Sequence, residues 1–249
     1  MKRALLFGGT TESHEIADFL LKEGWQTVVS VTSQYAADLL KLQEGLTVRV
    51  GRMEEAEMAL FISDGDFDLI IDATHPYAVE VTANIKRAAD KTAVRCLRFL
   101  RERSNTDGFV RCSNIEEAAK LLLKTEGSIL IATGSKELEK YACYPQLIDR
   151  CAVRVLPTVE SIEKCQRLGF KRENIIAMQG PFSEQLNAAI FDKYSIKTVV
   201  TKDGGTAGGF AEKVTAAQKC GVDMIVVARP DETGLSMCEL ITEIKAMKI

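Results

Sequence analysis

The chain has 249 residues, 46% of them hydrophobic and 27% charged, with a formal net charge of −3. That is ordinary globular composition, long enough for one large domain or two modest ones, and it carries no electrostatic footprint for nucleic acid or a membrane surface. Seven cysteines without a CxxC pair and only two histidines, His14 and His75, argue against a disulfide framework and against a zinc cluster, so free thiols and no protein-bound metal are expected.

In chain order, the charged start Met1-Lys2-Arg3 precedes an apolar run too short for a signal peptide, and no stretch approaches a membrane span. A cytoplasmic protein is the expectation. The runs RALLF, QTVVSV, LTVRV, DLIID and AVRCLRF read as strands. Between them HEIADFLLKEG, YAADLLKLQEG and VEVTANIKRAAD show helical spacing, the first two ending in a glycine C-cap signal. The polar stretch RERSNTDG interrupts this rhythm and marks the best domain boundary. Beyond it NIEEAAKLLLKTEG, KELEKYA, VESIEKCQRLG, SEQLNAAIF and AEKVTAAQKCG read as helices, and SILIAT, CAVRVL, NIIAMQ, KTVVT and DMIVVA as strands.

Alternating strands and helices of this kind build parallel α/β architecture. The expected fold is α/β, two Rossmann-like halves with doubly wound, mainly parallel sheets and a cleft between them. Residues 1–104 would form a dinucleotide-binding domain and residues 105–249 a second α/β domain on the substrate side.

In such sheets ligands bind at the carboxyl edge, so the loops after the strands carry the chemistry. Gly8, Gly9, Thr10, Thr11 and Glu12 follow the first strand and open a helix, where glycine admits phosphate and the helix amides favour an anion. The run lacks a third glycine and departs from GxGxxG, so a tight turn without a ligand is the competing reading. At the end of the second strand Ser30, Thr32 and Ser33 offer hydroxyls and no carboxylate until Asp38. A 2′-phosphate would meet less repulsion there, which leans the cofactor from NADH towards NADPH, although no arginine stands in that loop.

The fourth strand runs into DATHPYA, residues 72–78. There Ala73 and Thr74 would border a cofactor, His75 suits acid or base work, and Tyr77 could stack on a ring. His75 could equally cap backbone groups beside Pro76. In the second half Ser135, Lys136, Gln179, Ser183, Lys202, Asp203 and Arg229 lie in loops after strands. Lys136, Lys202 and Arg229 would suit an acidic ligand if they converge, or each is a solvated loop cation with a local ion pair. The run GGTAGGF at 204–210 reads as a flap, an anion nest or a plain connection.

Taken in order, GGTTE, DATHPYA, ATGSKEL, AMQGPFS, TKDGG and the late ARP resemble the precorrin-6A reductase family of cobalamin biosynthesis, from about residue 4 to 230. The resemblance implies an NAD(P)H-dependent oxidoreductase that reduces a double bond of a tetrapyrrole, precorrin-6A to its 6B form. Any cobalt would belong to the substrate, and cations would meet its acetate and propionate groups. On this reading Gly8 to Glu12, Ser30, Thr32, Ser33, Ala73 and Thr74 hold the cofactor. His75, Tyr77, Ser135, Lys136, Gln179, Ser183, Lys202 and Arg229 face the substrate, with His75 and then Asp203 as candidates for proton delivery. A non-catalytic nucleotide- or tetrapyrrole-binding protein on the same fold is the alternative.

Overall fold

The computed structural model describes residues 2–41, 43–101, 104, 106, 108–204 and 209–247. It divides into two compact units. The first comprises residues 1–101 together with 231–249, and the second residues 102–230.

The first unit runs β1 (Arg3–Phe7), α1 (Thr11–Lys22), β2 (Gln26–Val31), α2 (Gln34–Asp38), β3 (Leu46–Val50), α3 (Glu55–Asp64), β4 (Leu69–Asp72), α4 (Val79–Thr92) and β5 (Cys96–Arg98). Its strands lie in the order β3-β2-β1-β4-β5, and every pairing is parallel. Leu5, Leu6, Leu69, Ile70 and Ile71 are fully buried, because helices cover both faces and the strands must be apolar on each.

The second unit runs β6 (Val110–Cys112), α5 (Ile115–Leu122), β7 (Ser128–Ala132), α6 (Glu139–Ala142), α7 (Pro145–Ile148), β8 (Cys151–Val155), α8 (Val159–Arg167), β9 (Ile175–Ala177), α9 (Glu184–Lys193), β10 (Ile196–Lys202), α10 (Phe210–Cys220) and β11 (Asp223–Val227). Its six strands are parallel in the order β6-β11-β10-β7-β8-β9. The chain then returns to the first unit as α11 (Met237–Ala246).

Every strand expected from the sequence is present, and both sheets are doubly wound. The partition differs in that the boundary falls after residue 101 instead of 104, and in that residues 231–249 join the first unit instead of the second. Two backbone bonds from Leu235, N–H to Arg98 O and carbonyl to Leu100 N–H, tie the returning segment to β5. Leu240 and Ile244 of α11 then become fully buried in the core that contains Ile16, Leu20 and Trp25. Burying two such side chains contributes roughly 3–6 kcal/mol, enough to fix the segment there.

The helix expected to reach Gly45 ends at Asp38. Leu40 turns inward among the same core residues, and Gly45, at φ +83°, is the turn residue that leads into β3, its carbonyl accepting from the Thr27 amide.

Candidate active site

At the carboxyl edge of the first sheet, three expected loops follow adjacent strands. After β1 the Gly8 amide donates to Ser30 O at 3.0 Å, which joins this turn to β2. A Cβ on Gly8 would lie 2.7 Å from Ser13 Oγ, so the turn closes only with glycine. The buried Ser13 hydroxyl accepts from the amides of Gly9 (3.0 Å) and Thr10 (3.1 Å) and donates to Thr10 O. Thr10 and Ser13 thereby form a capping box on α1.

The amides of Thr11 and Glu12, in the first turn of α1, have no helical acceptor. Gly9, at φ +112°, has open space where a side chain would be; the nearest atom to its Cβ position is Ala36 Cβ at 4.0 Å. The Glu12 carboxylate meets Arg101 at 3.0 Å, both largely buried. Arg101, just beyond β5, is a cation the sequence reading did not single out. It holds Glu12 away from the role of a free acid beside the turn.

Beyond β2, Thr32 and Ser33 are exposed, and Ser33 caps α2 by accepting from the Ala36 amide at 3.3 Å. The Gly51 amide donates to Val31 O at 2.9 Å and continues the β2–β3 ladder. That bond puts the exposed Arg52 on the loop beside Thr32 and Ser33. The neighbouring Arg49 is spent on Glu57, and among the described residues no acid pairs with Arg52.

The turn after β4 is built on a buried charge network. Asp72, 2% exposed, accepts through Oδ1 from the Thr74 amide (3.0 Å), the Thr74 hydroxyl (2.6 Å) and Arg98 (2.9 Å). Arg98 also donates to Thr74 O (3.0 Å) and to Glu232 (2.9 Å). Ala73 donates its amide to Phe7 O, setting this turn beside β1.

His75 is exposed at the tip, its Nδ1 accepting from the Tyr77 amide at 3.3 Å, with the two rings 5.5 Å apart. An Nδ1 that accepts leaves the neutral ring's proton on Nε2. A cavity of about 840 Å³ borders Asp72 and Arg98 along α4 and β5 and includes none of the β1–α1 turn residues.

At the carboxyl edge of the second sheet the expected cations are mostly paired. Lys202 meets Glu137 at 2.9 Å, and Arg229 meets Asp203 at 3.2 Å with both groups buried. Asp203 also accepts from the Ser104 amide, at 3.4 Å. It therefore stands as a fixed acceptor and not as an exposed acid.

Lys136 and Gln179 are exposed, Ser135 shares a hydrogen bond with Ser161 at 3.0 Å, and Ser183 caps α9. Most of the glycine-dense run at 204–210 lies outside the described residues. Sequence reasoning passed over Arg154 on β8 and Lys213 on α10, both buried beneath these loops. Among the described residues no group of three His, Cys, Asp or Glu side chains is arranged to hold a metal, and no helix is long and apolar enough to cross a membrane.

Residues 3–246 match the family described as Precorrin-6x reductase CbiJ/CobK. The chain is 35% identical over 230 residues to a cobalt-precorrin-6A reductase of Priestia megaterium, covering 91% of this chain and 90% of the relative. It is 32% identical to a cobalt-precorrin-6A reductase of Methanothermobacter thermautotrophicus, covering 91% and 76%. Among solved structures, a CobK precorrin-6A reductase superposes with a TM-score of 0.77 at 23% identity, covering 99% of this chain and 96% of that one. The last likeness shows the shared fold.

Proposed function

The chain belongs to the precorrin-6x reductase family, and from that premise we propose that it reduces the ring of cobalt-precorrin-6A with NADPH. The match over residues 3–246 carries this reading. The cobalt form is favoured because the two relatives described above are reductases of that form.

The first sheet's edge fits a dinucleotide. Gly9 leaves its backbone open, and the amides of Thr11 and Glu12 stand at a helix N-terminus where a pyrophosphate is stabilised. Thr32 and Ser33 would meet the adenosine ribose. Arg52 beside them supplies the cation that a 2′-phosphate requires and that the β2 loop lacks. Arg52→Ala is expected to lower kcat/KM for NADPH about tenfold while leaving NADH nearly unchanged; equal losses with both cofactors would remove Arg52 from this role.

When bound, the nicotinamide supplies a hydride to a ring carbon, and the protein orients the partners and manages the accompanying proton. Ala73 and Thr74, fixed by Phe7 and by Asp72 with Arg98, would border the nicotinamide. His75 is the proposed proton donor to the neighbouring carbon: the imidazolium gives up its Nε2 proton and returns to the neutral ring, whose Nδ1 accepts from the Tyr77 amide. His75→Ala should lower kcat by about 10²–10⁴ with the cofactor KM retained. Unchanged kcat and KM would leave proton delivery to water.

On the second unit, Ser135, Lys136, Gln179 and Ser183 are proposed contacts to the ring. Lys202, Asp203 and Arg229 act as a pre-paired scaffold at its border. The deciding experiment follows nicotinamide absorbance anaerobically with NADPH and NADH, adding cobalt-loaded or metal-free ring. Oxidation requiring the cobalt ring and faster with NADPH is expected. No oxidation in any combination by folded protein would replace the reductase with a binding protein.

A further inference from the structure

The second unit buries two cations for which the reduction described above has no use. Arg154 is 7% exposed and Lys213 6%. Arg154 donates to Asn187 Oδ1 at 2.9 Å and lies 4.0 Å from the centre of the Phe182 ring. Lys213 Nζ donates to Thr201 Oγ1 at 2.7 Å and lies 6.0 Å from the Phe210 ring. Among the described residues no carboxylate pairs with either.

Buried cations are otherwise paired with anions or lose their charge. Burial, and then Arg154, push Lys213 down to about 7, with Glu212 acting in the opposite sense. Burial lowers Arg154 to about 10. The charged groups that act on Lys213 are thus Arg154 from β8 and Glu212 from its own helix; β10 offers Thr201 and α9 offers Asn187, neither titratable.

Position gives this pair its meaning. Arg154 is the penultimate residue of β8, Thr201 the penultimate residue of β10, and Asn187 and Lys213 lie in the first turns of α9 and α10. All four gather at the carboxyl edge of the sheet, where parallel α/β folds take ligands. The half-buried Phe182 covers the guanidinium, and Gly209, at φ +67°, packs against the Phe182 backbone.

We propose that Arg154 and Lys213 form a receptor for one organic carboxylate. A guanidinium and an ammonium match two carboxylate oxygens. The Asn187 amide is already committed to the carbonyls of Phe182 and Ser183, so among the described residues the two cations are the groups left to meet the ligand. The rings of Phe182 and Phe210 suit an apolar stem behind the carboxylate. Binding draws a proton onto Lys213, so affinity weakens as pH rises above neutrality. The receptor rests on the geometry of the second unit; its assignment to a side chain of the ring substrate rests on the proposed function.

The test is a pH titration of the Lys213 ε-methylene by NMR in the full chain with ¹³C-labelled lysine, the resonance assigned by its loss in Lys213→Met. Sodium propionate and inorganic phosphate are added at matched ionic strength. Propionate is expected to raise the midpoint by about one unit or more, an effect that Arg154→Met removes and phosphate does not reproduce. No propionate shift, or a shift with phosphate alone, overturns the carboxylate receptor, and neither outcome depends on turnover. Kinetically, Lys213→Met should raise KM for the ring about tenfold with the NADPH KM retained. An unchanged ring KM beside an intact propionate shift in the wild type overturns the assignment to the ring substrate.

Discussion

Replacing Arg98 by leucine should destabilise the first unit by about 3–5 kcal/mol, because it strands a buried carboxylate. Asp72 is 2% exposed and Arg98 is its only cationic partner among the described residues. Without the guanidinium, Asp72 keeps the two Thr74 bonds but loses its countercharge, and Glu232 and the Thr74 carbonyl lose a donor as well. Urea unfolding read by Trp25 fluorescence reports on this unit selectively, because Trp25 is the chain's only tryptophan and is buried in its core. The double variant Asp72→Asn with Arg98→Leu should recover part of the loss, since partners in one network are not additive. Activity should fall further than folding alone explains, because the turn that presents His75 loses its anchor. A midpoint for Arg98→Leu equivalent to a loss below about 1 kcal/mol would show that the turn is held by other bonds.

The opposite sign is expected for Lys213→Met. The ammonium is depressed from 10.5 to about 7 in the folded state. A depression of that size costs the fold about 5 kcal/mol when complete and about 4 kcal/mol at pH 7, where the folded ammonium is half titrated. The lost hydrogen bond to Thr201 offsets about 1 kcal/mol of the gain, so the variant should be more stable at neutral pH by about 3 kcal/mol. The pH dependence follows from proton counts. Between 7 and 10.5 the unfolded chain holds a proton that the folded chain lacks, so wild-type stability rises with pH through this window. Below 7 both states are protonated and the penalty is complete; above 10.5 both are neutral and it vanishes. The advantage of Lys213→Met should therefore be greatest at and below pH 7 and fade towards 10.5, as calorimetry of the two proteins across that range would show. A destabilised variant would make Lys213 a structural bond to Thr201.

The pattern of buried strands made the two sheets legible, since parallel strands covered on both faces read as unbroken apolar runs. The elements that escaped lacked such a pattern. In α3 the apolar residues Leu60, Phe61 and Ile62 are consecutive, Leu60 is 66% exposed, and the N-cap Glu54 makes no side-chain bond to the helix amides. β6 spans three residues and pairs with β11, more than a hundred residues later, which local sequence does not encode. A signal for α11 did exist: Ser236 and Glu239 form a capping box at the spacing such boxes require.

The site shows the same division. The β1–α1 turn and DATHPYA were visible as local motifs. Arg52, Arg98 and Arg101 lie in or after other strands and reach those motifs only through sheet order. Arg154 and Lys213 resemble ordinary members of a strand and a helix until burial exposes their lack of an acid.

The return of residues 231–247 to the first unit also sets an order of events at the ribosome. β1 to β5 are synthesised early, yet Leu235, Leu240, Ile244 and the Glu232 carboxylate that complete their core and charge network emerge more than a hundred residues later. The second unit, continuous in sequence, has all of its strands in hand before that happens. The nascent protein thus finishes its middle before its beginning, and during that interval the first sheet exposes the apolar surface that α11 will cover, the stretch of its life in which a chaperone has most to bind.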